Sequence, residues 1–456
     1  MSSILLNNAN IVLERNIFHG GILIDGEKIK KLVAENEKVQ ADYTEDINGM
    51  YIFPGLVDDH VHFNEPGRTD WEGYQTGTMA AAAGGVTTIL EMPLNSIPPS
   101  INAQYLTTKR QAVEKKAIVD YGQWGGLVPN NISDLTGLHK EGVIGYKAFL
   151  CNSGVEEFSR IEDDILFVGL QFSKEVNNVI GVHAENEYVT KYLSEKLRSE
   201  GRTDRKAWCE ARPPEVELEA IKRACFWASV TNGNLHIVHV SIADGIRAIA
   251  ESKRKGVRVT SETCPHYLCL NEEDFERLGP IAKCAPPLRS QVEVEALWEC
   301  VKEGLVDTIA SDHSPCTYDL KETGMDNIWK AWGGISGIQT MLPAILTEGF
   351  HKRGLPLTDL SRMMSTNPAK IFGLYPQKGV IEPGSDADLV IVDLEREWVL
   401  QKSDLFYKNK HSPFIGKLFK GQIVKTYLRG KSVYQEGKIL VEPGYGKLIK
   451  RKGNIQ

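Results

Sequence analysis

Four histidines and one aspartate stand where short apolar runs of the sequence end. The set comprises His60, His62, His183, His239 and Asp312. His60 and His62 are two residues apart, which puts both imidazoles on the same face of a strand. Imidazole and carboxylate groups are common zinc ligands. Because a single H-x-H pair also occurs as two ordinary exposed or core histidines, the indication of a metal site comes from the whole set.

Five ligands exceed what one tetrahedral zinc ion with an open position needs, because such a site takes three protein ligands. Two metal ions are therefore the natural number, and two neighbouring dications need an anion between them. No acidic residue stands at an obvious strand end between His62 and His183, where the run VIGYKAFL carries Lys147 instead. A lysine amine that has reacted with CO₂ becomes a carbamate, which can bridge two cations as a carboxylate does. Taken alone, Lys147 is a solvated or substrate-contacting lysine; beside the other five residues we favour the carbamate.

The elements that must position these residues are predicted as an α/β fold, a TIM-like (β/α)₈ barrel over residues 51–376. Short β-branched runs alternate there with helical stretches such as 215–232 and 242–254. The carboxyl ends of barrel strands meet at one mouth, where distant ligands become neighbours. Residues 1–50 and 377–456 contain short strands that we join in one small β-sandwich, because each piece alone has too few strands. The eight barrel runs are YIFPGLVDDHVH, GVTTILEM, IVDYGQWGGLV, VIGYKAFL, NVIGVHAE, NLHIVHVS, RVTSETC and VDTIASD.

Composition is that of a soluble globular protein. The 456 residues are 42% hydrophobic and 25% charged, with a formal net charge of −7, which argues against nucleic acid as a partner. No run approaches the ~18 apolar residues of a membrane span, and the start lacks a secretory signal pattern. We therefore expect a cytoplasmic protein without a membrane partner. The eight cysteines include no C-x-x-C pair, so neither a zinc ribbon nor a disulfide framework is indicated.

Seven segments spread over nearly the whole chain resemble the cyclic-amide hydrolases of the amidohydrolase superfamily, most of all its allantoinase branch. They are PGLVDDHVHFNEPG, GYKAF, GVHAE, HIVHVS, TCPHYL, APPLR and ASDHSP. The resemblance implies a barrel with a β-sandwich and a homotetramer. It also implies two divalent metal ions, zinc before cobalt, manganese or iron. The implied ligands are His60, His62 and Asp312 for one ion, His183 and His239 for the other, and carbamylated Lys147 between them.

The resemblance further implies hydrolysis of (S)-allantoin to allantoate in purine and ureide breakdown. The ions would polarise the ring carbonyl and activate water, and Asp312 would carry a proton from that water to the leaving nitrogen. In isolation Asp312 could equally be a helix N-cap or turn aspartate. Activities like those of hydantoinases, dihydropyrimidinases or dihydroorotases remain alternatives. So does a non-catalytic assembly protein of the same fold, although such a relative would show gaps in its ligand set.

Two asparagines favour an uncharged substrate. Dihydroorotases carry Arg two positions after the second histidine, where a guanidinium grips the substrate carboxylate. Here that position is Asn64, and Asn95 in EMPLNSIPP is displaced by one position from the dihydroorotase pattern. Both are candidate substrate-binding residues, and both could be turn asparagines. If the substrate carried a carboxylate, Arg68 or Arg289 would have to bind it.

Weaker indications concern five further residues. Hydantoinases commonly place Tyr five residues after the lysine, and this chain has Asn152. Ala285 and Gly333 match positions at which hydantoinases contact substrate through the main chain, so we include both as substrate-binding candidates. His266 and His313 could orient ligands or substrate, or be structural.

Overall fold

The computed structural model describes residues 3–451. The strands are, in chain order, β1 (Ser3–Val12), β2 (Ile17–Asp25), β3 (Lys28–Ala34), β4 (Tyr43–Asp46), β5 (Tyr51–Pro54), β6 (Leu56–Val61), β7 (Val86–Glu91), β8 (Asp120–Gln123), β9 (Gly125–Gly126), β10 (Tyr146–Phe149), β11 (Ile180–His183), β12 (Leu235–Ile237), β13 (Val259–Thr263), β14 (Thr308–Ile309), β15 (Leu389–Val399), β16 (Leu418–Leu428), β17 (Lys431–Gln435) and β18 (Lys438–Ile439).

The helices follow the barrel strands. They are α1 (Tyr74–Ala83), α2 (Ala103–Val113), α3 (Leu135–Lys140), α4 (Asp163–Glu175), α5 (Glu187–Ser199), α6 (Arg205–Glu210), α7 (Pro214–Thr231), α8 (Ala243–Arg254), α9 (Pro265–Cys269), α10 (Glu272–Leu278), α11 (Gln291–Lys302), α12 (Tyr318–Glu322), α13 (Met341–Ile345), α14 (Leu357–Ser361) and α15 (Asn367–Ile371). The two helices predicted at 215–232 and 242–254 are α7 and α8. Within residues 3–451, every helix is too short or too polar to cross a membrane.

The barrel consists of eight parallel strands, if β8 and β9 are counted as one strand interrupted at Trp124. Hydrogen bonding joins β6, β7 and β8 in one sheet and β9 through β14 in order in another. A parallel bridge between Val61 and His313 closes the ring. Nearly all strand residues are buried, as parallel strands covered on both faces must be. The predicted barrel is confirmed.

The indole of Trp124 fills the inside of the barrel. A Cβ atom placed on Gly145 or Gly181 would lie within 3 Å of this ring, so these strand positions have no room for a side chain. The indole Nε1 donates to the Asp59 carbonyl at 3.1 Å. The barrel is therefore a packed core closed beneath the strand ends, and chemistry is confined to its mouth.

Both ends of the chain contribute to a single nine-stranded sheet. Its strand order is β18-β17-β16-β15-β5-β1-β2-β3, with β4 paired to β1. Residues such as Leu6, Ile22 and Leu389 pack against one another and form a core within the terminal sheet. Val390 and Val392 belong to the core that is shared with the barrel. The predicted small β domain built from both termini is confirmed.

The first predicted barrel run, YIFPGLVDDHVH, forms two strands in different sheets. Its first part, β5, pairs with β1 and β15 in the terminal sheet, and its second part, β6, begins the barrel. The change occurs at Gly55, where an added Cβ would collide with the Thr87 side chain. The domain limits predicted at 50/51 and 376/377 stay a prediction, but the hydrogen bonds of Tyr51–Pro54 are those of the terminal sheet.

A buried ion cluster connects the terminal sheet to the barrel at the end opposite the mouth. Lys378 Nζ lies 2.6 Å from Asp120, which begins β8, and 2.6 Å from Asp388, which precedes β15. Asp386 also contacts Lys378, at 2.9 Å, and Arg429 pairs with Asp120. Because buried charges need partners, this cluster fixes the terminal sheet against the barrel.

Candidate metal centre

The six predicted ligands converge at the mouth of the barrel. His60 lies near the end of β6, Lys147 lies within β10 and His183 is the last residue of β11; His239 and Asp312 follow β12 and β14 by two and three residues. His239 and Asp312 have φ values of 40° and 41°, in the left-handed region, so the chain turns sharply at both. Side chains up to 252 positions apart are thus neighbours.

The first group of ligand atoms has the spacing that a single ion requires. Asp312 Oδ1 lies 3.3 Å from His60 Nε2 and 3.4 Å from His62 Nε2. Ligand atoms about 2.0–2.1 Å from a shared tetrahedral zinc would be separated by about 3.3 Å. The three side chains therefore fit a divalent cation without rearrangement.

Contrary to expectation, an acidic residue, Glu91, ends β7 between His62 and His183, but it is paired with Lys109 at 2.7 Å. Lys147 lies against the ligand group and is completely buried. Its Nζ atom is 3.5 Å from His60 Nε2 and 5.0 Å from the centre of the Phe149 ring. Among residues 3–451 its amine has no carboxylate ion-pair partner, although a buried ammonium group is costly without one. Burial lowers the pKa of Lys147 to about 8. The site thus makes the Lys147 amine easier to deprotonate than that of an exposed lysine.

The second pair of histidines completes the centre. The His183 and His239 rings have centroids 4.5 Å apart, and the His60 and His239 rings 5.3 Å apart. Phe149 stacks on His183 at 4.8 Å, which fixes the plane of that imidazole. The His239 Nδ1 atom is buried and has no hydrogen-bond partner among the described residues. A bound cation would be a suitable partner for this buried nitrogen.

Electrostatics keep these groups in the protonation states that bind cations. Burial lowers the pKa of His62 to about 4, and it lowers the pKa of His183 and His239 as well. Although burial alone would raise it, the neighbouring histidines hold the pKa of Asp312 well below its ordinary value. Neutral imidazoles and an ionised carboxylate are the forms that metal binding requires.

Two buried glutamates behind the histidines escaped the sequence analysis. Glu262 on β13 accepts a hydrogen bond from His60 Nδ1 at 2.9 Å, and Glu185 contacts His183 Nε2 at 2.7 Å. Burial alone would raise the pKa of both glutamates. The neighbouring histidines nevertheless hold the pKa of Glu262 at about 2, and Arg212 and His183 hold that of Glu185 at about 2. The available signal was an acidic residue inside or beside a buried strand, which needs a partner.

The two candidate substrate asparagines follow β6 and β7 by three and four residues. Both have left-handed backbones, with φ values of 65° for Asn64 and 64° for Asn95. Both side chains are buried, and both Oδ1 atoms lack a hydrogen-bond partner among the described residues. Asn64 Nδ2 donates to the Pro315 carbonyl at 3.3 Å. The asparagines therefore serve as turn residues, and each also has a free buried acceptor.

The loop containing Gly333 is held by two buried lysines. Lys283 Nζ donates to the carbonyls of Ile328 and Ala331, and Lys321 Nζ donates to those of Trp332 and Gly334, at 2.6–2.9 Å. A Cβ atom placed on Gly333 would meet nothing within 4 Å, so open space adjoins this residue. Ala285, the other main-chain candidate, is half-buried beside a cis proline. Burial lowers the pKa of both lysines.

The remaining candidates divide into buried and exposed residues. His313 Nδ1 accepts a hydrogen bond from Gly337 N at 3.1 Å, and its ring packs on Tyr407, between β15 and β16. These contacts are structural, although its Nε2 atom is buried and has no hydrogen-bond partner among the described residues. His266 is buried with Nε2 unpartnered, and burial lowers its pKa to about 4. Asn152 is exposed, and its Oδ1 accepts a hydrogen bond from Gly154 N. Asn152 therefore shapes a loop.

The sequence matches the amidohydrolase family over residues 51–433, the greater part of the chain. This chain belongs to the amidohydrolase family. The resemblance inferred from its motifs is thereby confirmed. Family membership implies divalent metal ions, and His60, His62 and Asp312 form a group able to hold one.

Among curated amidohydrolases, the chain is 46% identical to the allantoinase of Rubrobacter xylanophilus, over 87% of each chain. It is 42% identical to the allantoinase of Deinococcus radiodurans, over 98% of each. Among solved structures, the L-hydantoinase (dihydropyrimidinase) of Arthrobacter aurescens superimposes with a TM-score of 0.96 at 35% identity, covering 99% of this chain and 100% of that one. The dihydropyrimidinase of Brevibacillus agri gives a TM-score of 0.92 at 32% identity, covering 98% of each. The similarity therefore includes both the barrel and the terminal sheet.

Proposed function

We propose that this protein hydrolyses the cyclic amide bond of (S)-allantoin to give allantoate, a step of purine and ureide breakdown. The observation that carries the proposal is the full set of six ligand positions, all filled and gathered at one barrel mouth. It occurs in a chain 42% identical to a named allantoinase over 98% of both sequences. A non-catalytic assembly protein would have no use for an intact, costly cluster of buried histidines.

The proposed centre holds two divalent cations, with zinc first and cobalt, manganese or iron as alternatives. His60, His62 and Asp312 would bind one ion, and His183 with His239 the other. Carbamylated Lys147 would lie between them. The carbamate is supported by the burial of Lys147 without an acidic partner. It is also supported by the lowered pKa of the Lys147 amine, since CO₂ reacts only with the neutral amine.

In the proposed reaction the protein supplies a base, an acid and a fixed orientation. Bound cations would polarise the scissile carbonyl and acidify water. The ionised Asp312 carboxylate takes a proton from the attacking water while the new oxygen–carbon bond forms. It then passes that proton to the ring nitrogen while the carbon–nitrogen bond breaks. The ring opens to a carboxylic acid and a neutral ureido N–H. The acid then releases the second proton of the water to solvent, so that allantoate carries one negative charge and atoms and charge balance.

Substrate recognition in this proposal uses neutral groups. Allantoin is an uncharged hydantoin ring that carries a ureido group, and both parts present N–H donors. The buried, unpartnered Oδ1 atoms of Asn64 and Asn95 are suited to accept hydrogen bonds from such donors. Main-chain atoms of Ala285 and Gly333 would provide the remaining contacts.

A carboxylate-bearing substrate such as dihydroorotate would need a cation, and the two arginines considered for this role have other partners. Arg68 donates to the Asn95 carbonyl and pairs with Glu157. Arg289 is buried and donates to Ser241, to Glu217 and to the Arg212 carbonyl. Both arginines named as alternatives are thus committed to other partners. Hydantoinase-like activity stays the second candidate because of the match to the Arthrobacter aurescens enzyme.

Assembly as a homotetramer and location in the cytoplasm belong to the same proposal. Support for assembly comes only from the resemblance to the cyclic-amide hydrolases. Sedimentation velocity of the purified protein tests it, since a chain of 50.8 kDa gives well separated monomer, dimer and tetramer boundaries.

The deciding experiment reconstitutes the protein with a divalent metal and bicarbonate, then compares ring opening of allantoin, dihydroorotate and unsubstituted hydantoin in parallel. We expect a strong preference for allantoin. A preference for dihydroorotate would overturn the substrate proposal and leave the metal site intact. The control is Asp312→Ala, which should abolish turnover. If this variant has full metal content and unimpaired turnover, Asp312 does not transfer the proton.

A further inference from the structure

Glu262 lies at the meeting point of both halves of the metal centre. It is fully buried in β13, next to β12. Its Oε1 atom accepts hydrogen bonds from His60 Nδ1 and from the backbone N–H of His239, each at 2.9 Å. Its Oε2 atom accepts one from His236 Nε2 at 3.3 Å. One carboxylate therefore contacts a ligand of the first ion and a ligand of the second.

The contact with His60 determines which ring nitrogen is available to a cation. A carboxylate accepts hydrogen bonds, so the proton of a neutral His60 ring is held at Nδ1. The lone pair then remains on Nε2, the atom that faces Asp312 at 3.3 Å. Without that acceptor, the ring could carry its proton on Nε2 and could not bind an ion there.

The contact with His239 acts on the backbone instead of the ring. His239 has a left-handed φ of 40°, a conformation that costs a side-chain-bearing residue about 1–2 kcal/mol. The hydrogen bond from its N–H to Glu262 holds the chain in this turn, and the turn aims the imidazole at His183. Glu262 has no lysine or arginine partner among residues 3–451, and the histidine and backbone donors together compensate its buried charge.

We propose that Glu262 is a positioning residue that sets metal affinity in both halves of the centre at once. It fixes the tautomer of His60 and the backbone turn of His239. The inference rests on the proposed metal site and is independent of which ring the enzyme opens. Partners behind metal ligands typically change affinity or activity by about 10–100-fold when they are removed.

The test is a chelator competition that measures zinc and cobalt affinity of wild type, Glu262→Gln and Asp388→Asn. A glutamine keeps the size of Glu262 but has one acceptor and one donor group, so it cannot accept on both sides. We expect Glu262→Gln to bind zinc and cobalt each about 10–100-fold more weakly than the wild type does. Asp388→Asn removes an equally buried carboxylate at the other end of the barrel and should bind metal as wild type does.

Equal affinity of wild type and Glu262→Gln would overturn the inference while leaving the proposed function standing. A wild type that takes up no divalent metal would overturn both. If Glu262→Gln does not fold, the wild type provides the test through ¹⁵N-labelled histidine in the metal-free protein, where no ion fixes the His60 tautomer. We expect a His60 ring protonated at Nδ1 and a slowly exchanging N–H signal; a His60 ring protonated at Nε2 would refute the inference.

Discussion

Lys147 Nζ lies 3.5 Å from His60 Nε2, although the two residues come from different strands and 87 positions separate them. Both would repel a cation if they were protonated. Their proximity makes sense if the histidine is neutral and the lysine carries an anionic group. The proposed carbamate on Lys147 would supply the anionic group, and it would give a centre with four histidines the negative charge that two dications need.

Replacement of Lys147 should therefore remove turnover even where the positive charge is kept. We expect Lys147→Arg and Lys147→Ala to lose more than about a hundredfold in kcat/KM, because neither can form the bridge. Small carboxylic acids such as acetate should restore part of the activity of Lys147→Ala, which has room for them, and none of that of Lys147→Arg. The intact mass of the wild type, measured under native conditions, should exceed the sequence mass by one CO₂ beyond any bound metal. A fully active Lys147→Arg enzyme would eliminate the carbamate.

The two roles of Asn64 can be separated by a pair of substitutions. Glycine adopts a φ of 65° without strain, whereas alanine there pays about 1–2 kcal/mol. If the side chain binds substrate, both Asn64→Gly and Asn64→Ala should lose about 10–100-fold in kcat/KM for allantoin, the value of one or two buried hydrogen bonds. If Asn64 is only a turn residue, Asn64→Gly should be as active as wild type while Asn64→Ala is impaired. Steady-state kinetics with thermal melting of both variants distinguishes the cases.

The barrel strands and the candidate ligands each have a local signal. A buried strand is an apolar run, and a candidate ligand is a polar residue at its end, so His183 and Asp312 can be proposed without knowing their partners. Glu262 has a weaker local signal, an acidic residue inside a buried strand, and its role depends on three donors from other parts of the chain. The run from Tyr51 to His62 is predicted as one strand, although the pair Pro54-Gly55 within it is a local turn signal. The pairing of Tyr51–Pro54 with β1 and β15 separates its halves.

The buried lysines beneath the Gly333 loop make a prediction about substrate binding. Lys321→Met would leave the carbonyls of Trp332 and Gly334 without their donor, so the loop should shift. Displacement of a substrate-contacting loop by about 1 Å can cost a hundredfold, and we expect KM for allantoin to rise by about tenfold or more. Lys425→Met is the matched control, because it removes a lysine paired with Glu45 in the terminal sheet. If both variants have the same KM for allantoin, the Gly333 loop does not take part in substrate binding.

The ion cluster around Lys378 makes stability depend on pH in a defined direction. Burial, opposed by Lys378 and aided by Asp120 and Asp386, raises the pKa of Asp388 from an ordinary value of 3.8 to about 6. Between these values the folded protein holds a proton that the unfolded chain has released. This contribution to stability is therefore complete below about pH 4 and is lost as the pH rises through about 6. A shift of this size corresponds to about 2–3 kcal/mol.

Asp388→Asn cannot titrate, so the wild type should lose stability relative to this variant as the pH rises from 4 to 7. Urea unfolding of both metal-free proteins across this range measures the difference directly. Asp42→Asn is the control: hydrogen bonds from the Ser3 backbone and hydroxyl lower the pKa of Asp42, so its titration acts with the opposite sign and below pH 4. A wild-type-minus-variant difference that stays constant from pH 4 to 7 would mean that Asp388 is ionised throughout. Lys28, Lys378 and Arg429 would then neutralise all three carboxylates, and the contact between sheet and barrel would not respond to pH above 4.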